Sequence, residues 1–483
     1  MNPSSSASRS RRPGSTSNKP DNDFLQSPPT PEGTFDFERE VQGLARQLGR
    51  QVVETTYNQV AAASGAAARV VSDGGEYSRL SRPTPRRHVG TLFGTITLWR
   101  QGYRYVERSV PEPLIFPVEM ALGMVQGITP ALAEVTARAM SEAGATQQAV
   151  LSRLREEHGV ALGVKRLRAL LAEVESQMTP QRRQQQVEQL TQWLETAEQS
   201  TGRNRPVLSV GRDGITLATR PHGFYEVATV ATLTVYDRRQ HRLGSVYLGL
   251  TPELGQTTMS AELTALVQET LAACPQKLPQ LVYLTDAGDA ECGYFDRVLR
   301  KLRHPTTDQR LPWQRIFDYY HASQRLTTMA EALFGADTRQ AESWATKMRK
   351  VLKQSNGVFR MLHSAAALVA RRELSTTRRK EYQRAYNYLR DRAKHLRYHE
   401  YQRRGLPIGS GVTEAACKTL FTQRLKLSGM RWSEEGAQMI LNLRSIRLSG
   451  IWAAAYRACL KVRSASLPRT PAHSAPPTVA KAA

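Results

Sequence analysis

VLSVGRDGI at 207–215, FYEVATVATLTVYDRR at 224–239, LGSVYLGLT at 243–251, TTMSAELTALVQETLAAC at 257–274, LPQLVYLTDAG at 278–288, ECGYFDRVLRKLR at 291–303 and WQRIFDYYHA at 313–322 decide the fold. The first three are rich in Val, Leu, Thr and Tyr and are bounded by Gly, Pro and charged turns, so they read as strands. Residues 257–274 repeat apolar side chains at helical spacing. The run ending in Asp286 is a strand, 291–303 is a helix and 313–322 opens as another strand. Three strands, a helix, a strand, a helix and a strand predict an α/β domain with a mixed sheet over 206–325.

Downstream, 326–405 reads as entirely helical. Residues 371–405 hold twelve Arg and Lys against four Asp and Glu, with Tyr382, Tyr386, Tyr388, Tyr398 and Tyr401 interleaved. Such a stretch suits a nucleic-acid surface, because cations bind phosphate and rings stack on bases. It also suits an apolar stripe of Tyr382, Tyr386 and Leu389 with charges on the wet face. GLPIGSGVTEAACKTLFTQRLKLSGMRWSEEGAQMILNLRSI at 405–446 follows as a glycine-rich turn, a helix, a break near Ser428-Gly429 and a last helix.

Upstream, Val41, Leu44, Leu48, Val52 and Val60 mark a helix starting near residue 35. RHVGTLFGTITLWRQGYRYVE at 87–107 changes to a strand pattern and predicts a β-hairpin or small sheet. Residues 129–176 divide into three short helices. Thr129-Pro130 starts the first, Thr146 caps the second and Gly159 closes it. The third opens with Lys165, Arg166 and Arg168, which is the layout of a helix-turn-helix with basic side chains at the start of its recognition helix. The resulting map is a disordered arm at 1–33, an N-terminal DNA-binding region at 34–180, a helical linker at 181–205, an α/β core at 206–325, a basic all-helical insertion at 326–405, a second part of the core at 406–462 and a disordered tail at 463–483.

The 483 residues carry a formal net charge of +24, and 40 % are hydrophobic, which excludes a wholly disordered chain and points to a polyanionic partner, nucleic acid first. No run approaches the roughly 18 apolar residues of a membrane span. The N-terminus has basic residues without an apolar stretch behind them, so no secretory signal is expected. Cys274, Cys292, Cys417 and Cys459 are scattered and form no CxxC pair, which fits a reducing, cytoplasmic setting.

Asp213, Asp286 and Glu414 stand out by context. Asp213 lies in the first core strand, where a carboxylate is costly without a partner such as a metal. Asp286 ends the fourth strand, where α/β sheets line ligand crevices. Glu414 opens the helix after GSGVT. Strand middle, strand end and later helix are the positions from which an RNase H-like fold assembles three carboxylates. Phosphodiester cleavage needs an activated water or hydroxyl and a stabilised leaving oxygen, which two Mg²⁺ ions about 3.5–4 Å apart can provide, and Mg²⁺ prefers hard oxygen ligands. Asp289 and Asp318 compete for the second place, and Glu434 and Glu435 for the third.

SVGRDGI, LTDAG, IFDYYHASQRL and GSGVTEAACKTLFTQRLKLSGMRWSEEGAQMILNLRS resemble bacterial insertion-sequence transposases of the ISKra type, within the Mutator-like group of DDE transposases, from about 206 to 452. The resemblance implies an α/β RNase H-like catalytic core interrupted by an all-α insertion domain and preceded by a helical, helix-turn-helix-like N-terminal region. It implies Asp213, Asp286 and Glu414 as catalytic metal ligands for Mg²⁺, with Mn²⁺ able to substitute. Asp318-x-x-His321 matches a signature that follows the second Asp in such enzymes, and it is assigned to site support or DNA positioning. The spacing of 128 from Asp286 to Glu414 matches the insertion. Trp344 in that insertion reads first as a core residue, although similar enzymes can use an insert aromatic near the cut. Relatives often carry Cys-rich, zinc-like motifs near the N-terminus, and none is visible here.

The expectation is therefore an insertion-sequence transposase that cleaves at element ends and joins the freed 3′-hydroxyl to target DNA. Its partners are the terminal inverted repeats and target DNA, both double-stranded, and further copies of itself in a homo-oligomer, with no membrane partner. Lys165, Arg166, Arg168, Arg424, Lys426 and Arg431 are the expected DNA contacts. The tyrosines near 382–401 lack the ordered Arg/His constellation of a tyrosine recombinase. An RNase H-like nuclease that cuts without joining, and a non-catalytic DNA-binding descendant of a transposase, are the alternatives.

Overall fold

A computed structural model of the chain describes residues 30–107, 112–220, 225–274 and 277–470. The expected arm through residue 29 and the tail from 471 lie outside the described residues. Helix α1 (Pro31–Ser64) starts earlier than its apolar pattern, because the Thr30 side chain accepts the Gly33 N–H at 3.0 Å and Pro31 occupies the first turn. β1 (Arg69–Ser72) and β2 (Gly75–Arg79) follow, then the hairpin β3 (Thr84–Thr91) and β4 (Gly94–Arg100), then β5 (Tyr103–Tyr105). The expected strands at 87–107 thus fall into two sheets. β3 and β4 pair with each other beneath α1, whereas β5 pairs with β2.

The three helices expected at 129–176 form as α2 (Pro130–Met140), α3 (Gln147–His158) and α4 (Val164–Gln199). No boundary falls at 180: α4 runs through Pro180 and absorbs most of the expected linker. Its polar half is packed rather than solvated. Buried Arg182 donates to Asn442 Oδ1 at 3.0 Å and pairs with Glu262, while Gln186 donates to the Tyr247 carbonyl at 2.9 Å. These bonds satisfy polar groups that burial would otherwise penalise, and they make α4 a spine between the two halves of the chain.

The central six-stranded sheet contains β6 (Val207–Arg220), β7 (Tyr225–Tyr236), β8 (Arg242–Leu250), β9 (Gln280–Thr285), β10 (Gln314–Phe317) and β11 (Trp432–Ser433). Its order is β10-β9-β6-β7-β8, with β11 added to the far end of β6. β6, β7 and β8 are mutually antiparallel, and β9 and β10 run parallel to β6, so this is the expected mixed sheet. Helix α5 (Thr257–Ala273) crosses from β8 to β9, and α6 (Asp289–Arg297) leaves the end of β9. Leu208, Val210, Leu233 and Leu281 of the sheet share one core with Leu263 and Val267 of α5 and Leu190 of α4.

After β10 come α7 (Tyr319–Phe334), α8 (Arg339–Leu352), α9 (Gly357–Val369), α10 (Thr376–Asp391) and α11 (Tyr398–Arg403). This all-helical insertion shows the core stripe. Tyr382, Tyr398 and Tyr401 are buried and Tyr386 and Tyr388 pack against the same core, while cations such as Arg384, Arg390 and Lys394 face outward with Glu381, Asp391 and Glu400 among them. Trp344 also packs there, donating to Ser364 Oγ at 3.3 Å.

The chain returns through α12 (Gly411–Ala416), a turn of π-helix at Cys417–Thr422, α13 (Glu434–Leu448) and α14 (Trp452–Ala465). Leu420, Phe421, Ile440, Leu443 and Trp452 share one core with Leu132, Leu154, Leu167 and Val174. The helix-turn-helix-like region is therefore fused to the last segment rather than free of it. The expected tail also starts too early at 463: α14 continues to Ala465, and Arg469 exchanges backbone hydrogen bonds of 2.8 and 2.9 Å with Val71.

Candidate active site

Three parallel strands carry three aspartates within or just beyond them. β6 pairs with β9 from Val207↔Gln280 to Gly211↔Leu284, and Asp286 follows the last residue of β9, near enough for its charge to raise Asp213 two residues further along β6. β10 pairs with β9 up to Phe317↔Thr285, and one further step sets Asp318 beside Asp286. Strand alternation turns Arg212 to the opposite face. There it is buried, donating to Ser260 Oγ at 3.0 Å and Gln256 Oε1 at 2.6 Å, with its guanidinium 4.9 Å from the Tyr294 ring centre.

The loop before α12 closes over this edge. Asp318 is fully buried and caps α7 by accepting the His321 N–H at 2.7 Å. It also lies 3.3 Å from His321 Nδ1 and accepts the Ser410 N–H. The Ser410 hydroxyl in turn donates to Glu414 Oε1 at 2.6 Å, and His321 Nδ1 lies 3.6 Å from the same oxygen. The docking of α12 depends on Gly211, because any Cβ there would collide with Thr413, whose hydroxyl lies 2.8 Å from that of Thr232. One glycine on β6 thereby sets how closely α12, which carries Glu414, packs on the sheet.

Burial pushes the Asp213 carboxyl above its usual range, and the nearby Asp286 charge pushes the same way. Hydrogen bonds from Cys417 Sγ at 3.3 Å and Gly214 N–H at 2.7 Å oppose the rise. Asp318 behaves in the opposite manner: burial raises it, but the bonds from His321 and Ser410 outweigh burial and hold it below its usual value. The His321 imidazole is pushed up, first by its bond to Asp318 and then, against its burial, by the charges of Asp318, Asp286 and Glu414.

Asp318, His321 and Glu414 place ligand atoms within 4.8 Å of one another, so this cluster could bind a metal ion. Among the described residues Asp213 and Asp286 lie outside that cluster and bear on it through charge, since the Asp286 carboxylate raises both Asp213 and His321. Burial first, and then repulsion from neighbouring carboxylates, raises Asp213 and also Glu291. A cation would relieve that repulsion, and hard oxygen donors suit Mg²⁺ or Mn²⁺. Two carboxylates and one imidazole make up the cluster, a donor set able to hold a metal ion.

Of the competing acids, Asp289 is an exposed residue in the first turn of α6, and Glu434 and Glu435 are exposed in the first turn of α13. Asp318 joins the cluster, but through His321 and Ser410. Among the basic candidates, Lys165, Arg168, Lys426 and Arg431 are exposed. Arg166 instead donates to the carbonyls of Gln126 and Gly127 at 2.8 and 3.1 Å, which ties down a loop. Arg424 is buried, donating to the Met140 carbonyl at 3.1 Å with its guanidinium 4.9 Å from the Trp432 ring centre, so it braces the shared core instead of facing a partner.

Sequence reasoning missed four contributors. Glu291 is buried close enough to Asp286 and Asp213 to be raised by both charges. Cys417 donates to Asp213 from the π-helical turn, a local distortion that often marks functional sites. Tyr388 donates to the Asp286 carbonyl at 2.9 Å, and Arg392 lies 4.2 Å from the Tyr388 ring centre, so the insertion braces the Asp286 turn. That turn also holds Ala287 at φ 71, a conformation a non-glycine residue adopts only under constraint. Spacing of Glu291 five residues after Asp286 on a helix was the one signal available for it. The chain matches no protein-family model and no curated protein sequence.

Proposed function

We propose that the chain is a metal-dependent DNA transposase of the DDE type, with Asp213, Asp286 and Glu414 as its metal-holding carboxylates. The observation that carries the reading is Asp213 on β6 and Asp286 just beyond the neighbouring parallel strand β9, with Glu414 held beside Asp318 and His321 on a helix that arrives 128 residues later. Three antiparallel strands followed by two parallel ones, interrupted by a helical insertion, support an RNase H-like core. The excess of cations on the outer face of the insertion and the +24 net charge support a DNA substrate.

Two Mg²⁺ ions, or Mn²⁺ in their place, would supply an activated water or hydroxyl and stabilise the leaving oxygen. The protein's own groups do the rest. Asp213 from the middle of β6 and Asp286 from just beyond β9 present carboxylates on neighbouring strands of the sheet. Ser410 and His321 hold Glu414 toward them, and Asp318 anchors both through bonds that burial strengthens. Tyr388 and Arg392 brace the Asp286 turn. No side chain needs to become covalently attached to DNA, because the freed 3′-hydroxyl of one strand is itself the nucleophile for joining. Two ends must be held together for such a reaction, which supports a homo-oligomer on DNA.

The test supplies the DNA flanking the gene as end fragments, together with a target plasmid and Mg²⁺, and sequences the products. The reading expects nicks at inverted repeats and 3′ ends joined to the plasmid. Cleavage without joined products would instead identify a nuclease, and duplex binding without cleavage in either metal a non-catalytic DNA-binding protein.

A further inference from the structure

A second site lies away from the carboxylates. The N-terminal end of α3, the second to fourth turns of α4, the far end of β6 and the segment from Met430 to Met439 line a cavity of about 770 Å³. Arg168, Arg220, Arg424 and Arg431 line it, against the carboxylates of Glu175 and Glu435. Glu175 is already engaged by Asn442 and Thr179 at 2.7 and 2.6 Å. Arg168, Arg220 and Arg431 are exposed and can meet a ligand, Arg168 while donating to Gln147 Oε1 at 3.1 Å, whereas Arg424 braces the ring of Trp432.

Trp432 is the distinctive wall. Its ring is half-buried, backed by the Arg424 guanidinium at 4.9 Å, and fixed by the pairing of β11 with β6. Its indole N–H is buried and has no hydrogen-bond partner among the described residues. A fixed aromatic face and surrounding guanidinium groups together match a base with its phosphates. The volume falls in the range of small-ligand sites. Arg220 follows Asp213 by seven residues on one continuous strand, roughly 23 Å away at about 3.3 Å per residue, so the cavity is separate from the reacting centre.

We propose that this cavity holds one unpaired nucleotide of a DNA strand, with its base on the Trp432 ring and its phosphates on Arg168, Arg220 and Arg431. The proposal rests on the DNA-processing reading above and adds a place where a nucleotide leaves the duplex. It assigns Trp432 to recognition of a base, which phosphate binding alone does not require.

The test measures binding of the full chain, by fluorescence anisotropy at one fixed salt concentration, to a short oligothymidylate, an abasic strand of equal length and a blunt duplex. The wild type binds oligothymidylate about tenfold or more tightly than the abasic strand, in keeping with base stacking. Trp432→Ala abolishes that preference, Trp432→Phe retains most of it, and Arg220→Ala weakens both strands together. Equal binding of the two strands by the wild type overturns the proposal. So does an undiminished preference in Trp432→Ala, and neither result touches duplex binding or the function it supports. Failure of the wild type to bind any of the three DNAs removes the proposed function, and the nucleotide site with it.

Discussion

Replacing Gly211 with alanine tests whether backbone packing sets the position of Glu414. The added Cβ would stand 2.9 Å from Thr232 Oγ1 and 3.2 Å from Thr413 Cβ, and closer still to Thr413 Oγ1. Ordinary carbon–oxygen contacts need about 3.5 Å, so the Thr413 hydroxyl must retreat by about 1 Å or more. Overpacking of this kind costs about 1–3 kcal/mol. Thr413 precedes Glu414 in α12, so the retreat carries Glu414 with it, and a displacement of about 1 Å at a reacting site can cost on the order of 10²-fold in rate. Thr413→Ala alone loses the hydrogen bond to Thr232, worth about 1 kcal/mol. Combined with Gly211→Ala it removes the worst clash, so the pair shows a coupling of about 2 kcal/mol in urea unfolding. It also recovers much of the metal-dependent cleavage lost in Gly211→Ala. Simple additivity of the two substitutions, or full activity in Gly211→Ala, would refute the packing argument.

Asp213→Ala, Asp286→Ala and Glu414→Gln each reduce DNA cleavage to background and leave duplex affinity within about twofold, because phosphate contacts on the basic surface supply the affinity; a variant with near-normal cleavage removes that residue from the triad. Asp318→Ala lowers the unfolding free energy by about 3–5 kcal/mol, since it strands the Ser410 N–H and the His321 imidazole around a buried vacancy; a loss below about 1 kcal/mol in urea titration contradicts its anchoring role. Tyr388→Phe leaves stability within about 1 kcal/mol and slows cleavage several-fold, as read in single-turnover kinetics, because the Asp286 carbonyl loses its brace. His395, packed edge-on to Phe317 at 5.0 Å, is pulled down from about 6.5 to about 4 by burial and then by Arg315 and Lys394. Above about pH 6.5 it is neutral folded or unfolded and contributes no pH dependence. Between about 6.5 and 4 only the unfolded chain takes the proton, so stability falls on acidification by about 1–2 kcal/mol once partial exposure is discounted. His395→Phe removes that portion of the acid sensitivity in thermal scans, and an unchanged slope contradicts it.

The strands and helices of 206–325 were legible because each carries an uninterrupted apolar or amphipathic pattern and tight polar boundaries. The places of Asp213 within β6 and of Asp286 just past β9 were legible for a related reason, because each follows an apolar run. What escaped were features set by tertiary partners. Pro180 normally signals a boundary, yet α4 passes through it, because Arg182 and Gln186 beyond it are held by Asn442, Glu262 and Tyr247. β1 and β2 are too short for period-two alternation to register. Tyr398 and Tyr401 looked like stacking residues only because their neighbours are cationic, and burial shows which face they occupy. Arg424 sits in a run rich in cations, and nothing local distinguishes it from exposed Lys426; the carbonyl of Met140, distant in sequence, decides its place. Glu291 and Cys417 join the site through helix geometry that spacing alone does not define.

The most direct test is cleavage of duplex DNA carrying the element ends, mapped at nucleotide resolution, by wild-type protein and Asp213→Ala with Mg²⁺, with Mn²⁺ and with neither. The account predicts cuts at defined positions with either metal, none without metal, and none with Asp213→Ala, although both proteins bind the duplex. Cuts of equal yield by Asp213→Ala, or no cut by a folded, duplex-binding wild type in both metals, would contradict it.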